Sequence, residues 1–167
     1  MEKIMVVGSS GSGKSTFSRR LSKTLKIPVY HLDRYFWKPN WQMMDFDEQS
    51  KIHWQLIQKN KWIIDGNYSA LLDERINAAD TIVFIDLPRV VCFYRVFKRY
   101  LDNKGKTRID MREGCNERLT FTFFKYIWRY PIDKKPKVLG KMNMESHHKQ
   151  IFILNSQKKI RNFLSNC

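Results

Sequence analysis

Cysteine is scarce in this 167-residue chain: Cys92, Cys115 and Cys167 are widely spaced, with no CxxC pair and no Cys/His cluster. That excludes a disulfide framework and a structural zinc site, and leaves reduced cysteines as packing residues. Long apolar runs are missing as well. No stretch reaches the 18 residues that a bilayer crossing asks for, and the first residues lack the charged, then apolar, then small pattern of an export signal. A cytoplasmic protein without a membrane partner is therefore expected. There are four histidines; His147 and His148 are adjacent, the wrong spacing for metal ligands, and read as surface side chains. No internal repeat or low-complexity tract is present. Glycine is sparse too, seven in all, yet Gly8, Gly11 and Gly13 crowd into one short stretch.

Acidic residues are outnumbered, 16 against 31 Lys and Arg, for a net charge of +15. The imbalance is concentrated: Arg89 to Lys141 holds 15 basic and 5 acidic side chains. Such a segment either handles an anion or solvates a face, and weak, nonspecific nucleic-acid binding is open to it.

The length suits one domain spanning residues 1–167. Short apolar segments at 4–7, 27–33, 62–66, 81–87 and 151–154 read as strands. Helical patterns occupy 14–25, 46–59, 69–77, 89–101, 117–130 and 156–165. Alternating buried strands and helices predict an α/β fold, three layers with a parallel five-stranded sheet at the centre. Ligands on such sheets bind at the carboxyl ends of the strands, where Gly8, Asp33, Asp65 and Asp86 fall. Two inserts interrupt the alternation. One, about 34–61, is rich in aromatics (Tyr35, Phe36, Trp37, Trp41, Trp54); the other, about 101–141, carries most of the basic residues.

The clustered glycines answer to a specific chemistry. GSSGSGKST, Gly8 to Thr16, follows an apolar strand and opens a helix, and it matches G-x-x-x-x-G-K-[ST], the Walker A phosphate loop. Gly8, Gly11 and Gly13 let backbone N–H groups turn toward one centre, with Ser9, Ser10, Ser12 and Thr16 in the same cradle. The helix that follows adds its positive end, Lys14 reaches the terminal phosphates, and the Ser15 hydroxyl ligates Mg²⁺. A nucleoside triphosphate with magnesium is the expected cofactor pair. The nearest guanine-selecting candidate, Asn103-Lys104-Gly105-Lys106, ends in the wrong residue for N-K-x-D, which argues against a GTPase. An ABC-type ATPase or an AAA-type motor needs more chain and a signature not seen here. A small kinase-like protein remains.

WIIDGNY and ADTIVFIDLPRVVCFYRVFKR resemble the adenylate-kinase-like branch of phosphate-loop kinases. The resemblance implies a sheet in the order 2-3-1-4-5. It also implies that Asp65 holds the Mg²⁺ hydration shell, that Arg95 lies near the adenine and that Arg99 contacts the transferring phosphates. Arg95 and Arg99 are four apart, on one helix face; solvation of an amphipathic helix is the other reading of both. Together with HLDRYFWKPNW, DLPR and TRIDMREGCNER, nearly the whole chain is similar to the DNA topology modulation (FlaR-related) proteins. That label implies an effect on DNA, whereas the motifs imply phosphoryl transfer.

Related kinases carry a lid in the second insert, which implies that Arg108, Arg112 and Arg118 close over the phosphates, with Gly105 and Gly114 as hinges; a merely soluble loop has the same composition. Asp33 can accept or orient the acceptor's proton, cap the helix after it, or sit behind the Mg²⁺. Nucleoside monophosphate kinases clamp the acceptor's phosphate with an arginine shortly after the Asp-Gly pair, where this chain has Asn67-Tyr68; Arg34 or Arg75 are the candidates to compensate. Tyr35, Trp37 and Trp41 either stack on a base or sugar or form the core of their insert. Three functions stay open: a small-molecule kinase using ATP and Mg²⁺, acting on a nucleotide, nucleoside or other hydroxyl compound; a nucleic-acid-associated ATPase; and a nucleotide-dependent regulator with little turnover.

Overall fold

The apolar segments at 4–7, 62–65 and 81–85 become strands buried on both faces, while the edge segments 29–31 and 150–154 stay partly exposed. The computed structural model describes residues 1–144 and 149–167; His147 and His148 lie outside them. Strands β1 (Lys3–Gly8), β2 (Val29–His31), β5 (Trp62–Asp65), β6 (Thr81–Ile85) and β7 (Gln150–Leu154) form one parallel sheet in the order β2-β5-β1-β6-β7. Numbered within this sheet alone, that is the expected 2-3-1-4-5. Met5 and Val7 point into one apolar cluster while Ile4 and Val6 point into the other, so neither face of β1 meets water.

Helices cover both faces. Phe17 and Leu21 of α1 (Lys14–Leu25), Val96 of α5 (Arg89–Asn103), Ile127 of α6 (Phe121–Asp133) and Ile160 of α8 (Gln157–Ser165) pack on one side. Leu32 and Phe36 of α2 (Leu32–Phe36), Leu56 of α3 (Phe46–Ile57), Ile76 of α4 (Leu72–Ala78) and Met142 of α7 (Lys135–Met144) pack on the other. Each such side chain taken fully out of water contributes roughly 1.5–3 kcal/mol.

Several boundaries differ from the sequence reading. Asp33 does not end a strand: β2 stops at His31, and Asp33 lies in the first turn of α2, whose N-cap is His31, so it is no cap either. The aromatic insert holds a small hairpin, β3 (Trp37–Lys38) with β4 (Gln42–Met43), pairing Trp37 with Met43. The helix expected from residue 117 starts at Phe121, where the Thr120 side chain accepts from the Phe123 N–H and sets the N-terminus. Helix α7 had not been anticipated. With α6 and α7 packed on the sheet through Ile127, Tyr130, Val138 and Met142, the irregular part of the basic insert shrinks to 104–120. It is tied by two isolated bridges, Lys104 to Glu117 and Thr107 to Asn116.

Candidate active site

β1 is the topological switch point of the sheet, with β5 on one side and β6 on the other, and its carboxyl end opens into a cleft of about 1210 Å³. The glycine-rich loop forms its floor. Gly8 has φ 145°, and a Cβ there would stand 2.3 Å from the Ile85 carbonyl oxygen; at Gly11, φ 80°, it would stand 2.3 Å from that of Cys92. Only glycine fits a chain pressed so closely against β6 and α5. Gly13, left-handed at φ 98°, is the N-cap of α1 and makes no side-chain cap, so the first turn's amides have no protein oxygen supplied by the cap residue.

Lys14 is folded over its own loop, donating to the Gly8 oxygen at 2.8 Å and the Ser9 oxygen at 2.9 Å. Burial pulls its ammonium pKa down, against the pull of Asp65 and Asp33. Asp65 is buried at the end of β5. Its Oδ1 accepts from His31 Nδ1 at 2.8 Å, while Oδ2 has no hydrogen-bond partner among the described residues. Ser12 Oγ is likewise buried and unpartnered. Burying such atoms costs free energy unless something pairs with them. An orphaned carboxylate oxygen beside the Ser15 hydroxyl's loop and a cradle that admits no Cβ fit a polyphosphate with a hydrated divalent cation. Among the described residues no three His, Cys, Asp or Glu side chains gather to hold a metal by themselves.

Asp33 faces the same cleft. The Tyr68 hydroxyl donates to its Oδ1 at 2.7 Å, from a backbone at φ 25° that non-glycine residues rarely adopt. Burial raises the Asp33 pKa, against that hydrogen bond.

The arginines do not behave alike. Arg95 Nη1 donates to the Ser12 oxygen at 3.3 Å, bracing the phosphate loop. Arg99 and Arg108 share Glu117, at 2.8 and 2.7 Å, and Arg108 also pairs with Asp110 at 3.0 Å. Burial lowers the Arg99 pKa, and neighbouring Arg108 adds to this. The Asp110 carboxyl is pushed up by burial, but Arg108 and a hydrogen bond from Ser15 outweigh this and hold it below the ordinary value. Arg118 lies over the Trp41 ring, 4.7 Å from its centroid.

Ser10 through Thr16, Asp33, Asp65, Arg95, Arg99, Arg108 and Arg118 all line the cleft. Gly8 and Ser9 lie behind it as the carbonyls that hold Lys14. Arg112 is a correction: it lines a separate shallow depression with Arg34, Pro39, Glu113 and Gly114. Its exposed Arg-Glu-Gly turn points away because the buried neighbours Met111 and Cys115 anchor the segment instead. Arg75 is a second correction. It is fully buried, its pKa pulled down to about 10 by desolvation, and donates to the Gly66 and Asn67 carbonyls. Asp86 pairs with Lys135 at 2.6 Å and does not line the cleft. Trp37 and Trp41 reach the cleft, while Tyr35 packs on Tyr30.

The sequence reading missed Asp110, Glu117, His31 and Tyr68, as well as Tyr126, which lines the cleft and whose hydroxyl accepts from Asn67 Nδ2 at 3.0 Å. The interleaved acids of RIDMREGCNER were the available signal for the first two; nothing local marks the others.

The profile of the AAA domain family AAA_18 matches residues 4–119, from β1 into the irregular 104–120 segment. The chain belongs to this family. The AAA-type motors set aside on chain length share the module's name, and membership in AAA_18 concerns the module. Over 105 residues the chain is 30% identical to "Uncharacterized protein YqaC" of Bacillus subtilis (strain 168), and it spans 58% of that relative's length. Shikimate kinase from Acinetobacter baumannii, in complex with shikimate, superposes with a TM-score of 0.58 at 13% identity, covering 99% of this chain and 90% of that one. A putative kinase from Chloroflexus aurantiacus gives 0.57 at 12% identity, with 97% and 94% covered. At such identities the likeness is one of fold: an AAA_18 phosphate-loop domain on the α/β scaffold that these kinases share.

Proposed function

We propose that this protein transfers the terminal phosphoryl group of ATP, with Mg²⁺, to a hydroxyl of a small-molecule acceptor. The observation that carries the reading is the shared cleft: the phosphate loop with Lys14 lies on one side and the partly exposed Asp33 carboxylate on the other. Bound Mg·ATP would supply the electrophilic phosphorus and the charge neutralisation that phosphoryl transfer requires. The Gly8–Thr16 amides and Lys14 bind and orient the phosphates, with Ser15 and the free Asp65 Oδ2 as magnesium-side donors. Asp33, its pKa raised by burial, is suited to hold the acceptor hydroxyl and take its proton. Arg99, Arg108 and Arg118 sit on or against the lid, where closure excludes water.

A second reading, a nucleic-acid-associated ATPase in keeping with the DNA topology modulation resemblance, is favoured by the +15 charge. A basic surface alone binds DNA nonspecifically, and such binding collapses as salt rises. The test is ADP release by the pure protein with Mg·ATP and a panel of nucleosides, nucleotides and metabolites, beside Lys14→Met. Acceptor-stimulated, Lys14-dependent release supports the kinase; stimulation by DNA alone supports the ATPase.

A further inference from the structure

The charges of the cleft are distributed unevenly, and their placement bears on the acceptor. Resting on the kinase reading above, we infer that the acceptor is an electrically neutral ring compound bearing a hydroxyl, a nucleoside or a cyclic polyol, and not a monophosphate or a carboxylate.

The segments that wall the acceptor side are α2, the β3–β4 hairpin and the turn after β5. Between residues 31 and 69 they send Asp33, Asp65, Asn67, Tyr68 and two tryptophans into the cleft, with no cation among the lining residues. No basic side chain between residues 31 and 75 lines the cleft. Arg34 lies in the shallow outer depression, Lys38 pairs with Glu48 at 2.8 Å, and Arg75 is buried under the carbonyls of Gly66 and Asn67. The cleft's cations come from the phosphate loop, α1, α5, the lid and the α6–α7 junction. Arg99 and Arg108 are already held by Glu117 and Asp110. Arg118, over Trp41 at the lid, is solvent-exposed, where an ion pair contributes little.

An anionic acceptor placed beside Asp33 would therefore meet two carboxylates, and the cations within electrostatic reach are already engaged, Lys14 on its own loop and Arg108 on Glu117 and Asp110, so like-charge juxtaposition disfavours its binding. Neutral rings meet the opposite situation. Trp37, held edge to face against Trp41 at 5.5 Å between centroids, offers flat apolar surface to a base or a sugar's C–H face, while Arg118 covers one face of Trp41. The Tyr68 oxygen, whose O–H is donated to Asp33, still accepts from a ring hydroxyl, and the Asp33 carboxylate takes the reacting hydroxyl.

The test uses the full chain with Mg·ATP and matched acceptors: nucleosides and their 5′-monophosphates, myo-inositol and its monophosphate, a hexose and its 6-phosphate, and shikimate as a carboxylate-bearing ring. The expected result is transfer to a neutral member with kcat/KM at least about 100-fold above that for its monophosphate. Ser69→Arg, which adds a cation at an exposed position lining the cleft, should narrow that ratio by raising the monophosphate's kcat/KM. Preference for a monophosphate or for shikimate, lost in Arg118→Ala, would overturn the inference and leave the kinase reading standing. Absence of Lys14-dependent transfer to any member would remove the kinase reading, and this inference with it.

Discussion

The Glu117 carboxylate sits 2.8 Å from the Arg99 guanidinium, joining the lid to helix α5. Its second oxygen lies 2.7 Å from Arg108, so one acid compensates two cations that would otherwise repel each other in a partly dry site. Glu117→Gln should therefore leave Arg99 beside Arg108 with no acid of its own. The expected loss of stability is about 2 kcal/mol, read by denaturant unfolding, since breaking a buried pair strands a charge. Under the proposed function these arginines act at the transferring group, so turnover should fall more than nucleotide affinity; Glu117→Asp should recover part of both.

Asp33→Asn separates function from stability. Burial raises the Asp33 pKa above its unfolded value, so the ionised carboxylate costs stability at pH above the folded pKa. That cost fades as the pH falls through the folded pKa and is gone below the unfolded one. The variant should thus melt higher than wild type at neutral pH, with the gain vanishing in acid. It should still bind nucleotide while losing acceptor phosphorylation by about 100-fold or more, 100-fold being roughly the lower end of general-base contributions. Melting curves across pH and a product assay check the two halves.

His53 predicts a pH effect of the other sign. Fully buried on α3, it has its pKa driven from 6.5 down to about 4, by burial first and then by neighbouring Arg75, against the pull of Glu74. The unfolded chain then binds a proton that the folded one refuses. Stability is complete above about pH 6.5 and falls as the pH drops toward 4, by roughly 3 kcal/mol. Denaturant midpoints at pH 7 and pH 4.5 should differ less in His53→Leu than in wild type.

Gly11→Ala would force a Cβ to 2.3 Å from the Cys92 carbonyl oxygen at a left-handed φ of 80°. The loop must shift away from α5 or strain. We expect a loss of at least about 2 kcal/mol of stability, from the steric and backbone terms together. ATP binding by calorimetry should weaken by tenfold or more.

Much of the scaffold was legible because local signals agreed with the tertiary outcome. The Gly8–Thr16 loop, the strands at 62–65 and 81–85 and helix 14–25 each combine a period, a terminus signal and a length that admit one reading. Asp33 was placed in the right cleft but on the wrong element, because IPVYHLD keeps a strand's composition two residues past the point where the chain turns into α2. The lid was drawn too wide. Its basic residues suggested one insert over about 101–141 with a single helical pattern, 117–130, inside it, whereas Ile127 and Tyr130 with Val138 and Met142 bury two helices whose outer faces carry that charge. Arg75 and Arg112 show why charge alone does not assign a role: which way an arginine faces is decided by the packing of its neighbours, and no local spacing records it.

Helix α5 touches the phosphate loop twice, through the Cys92 carbonyl packed on Gly11 and through Arg95 on Ser12. Loop and helix are consequently braced against each other, and under the proposed function a rearrangement on nucleotide binding would be delivered past Asn103, where the helix ends and Gly105 at φ 73° has open space around it. Under the proposed function, the grip on the triphosphate then belongs to one braced unit and the choice of what receives its end to a separate wall, residues 31 to 69.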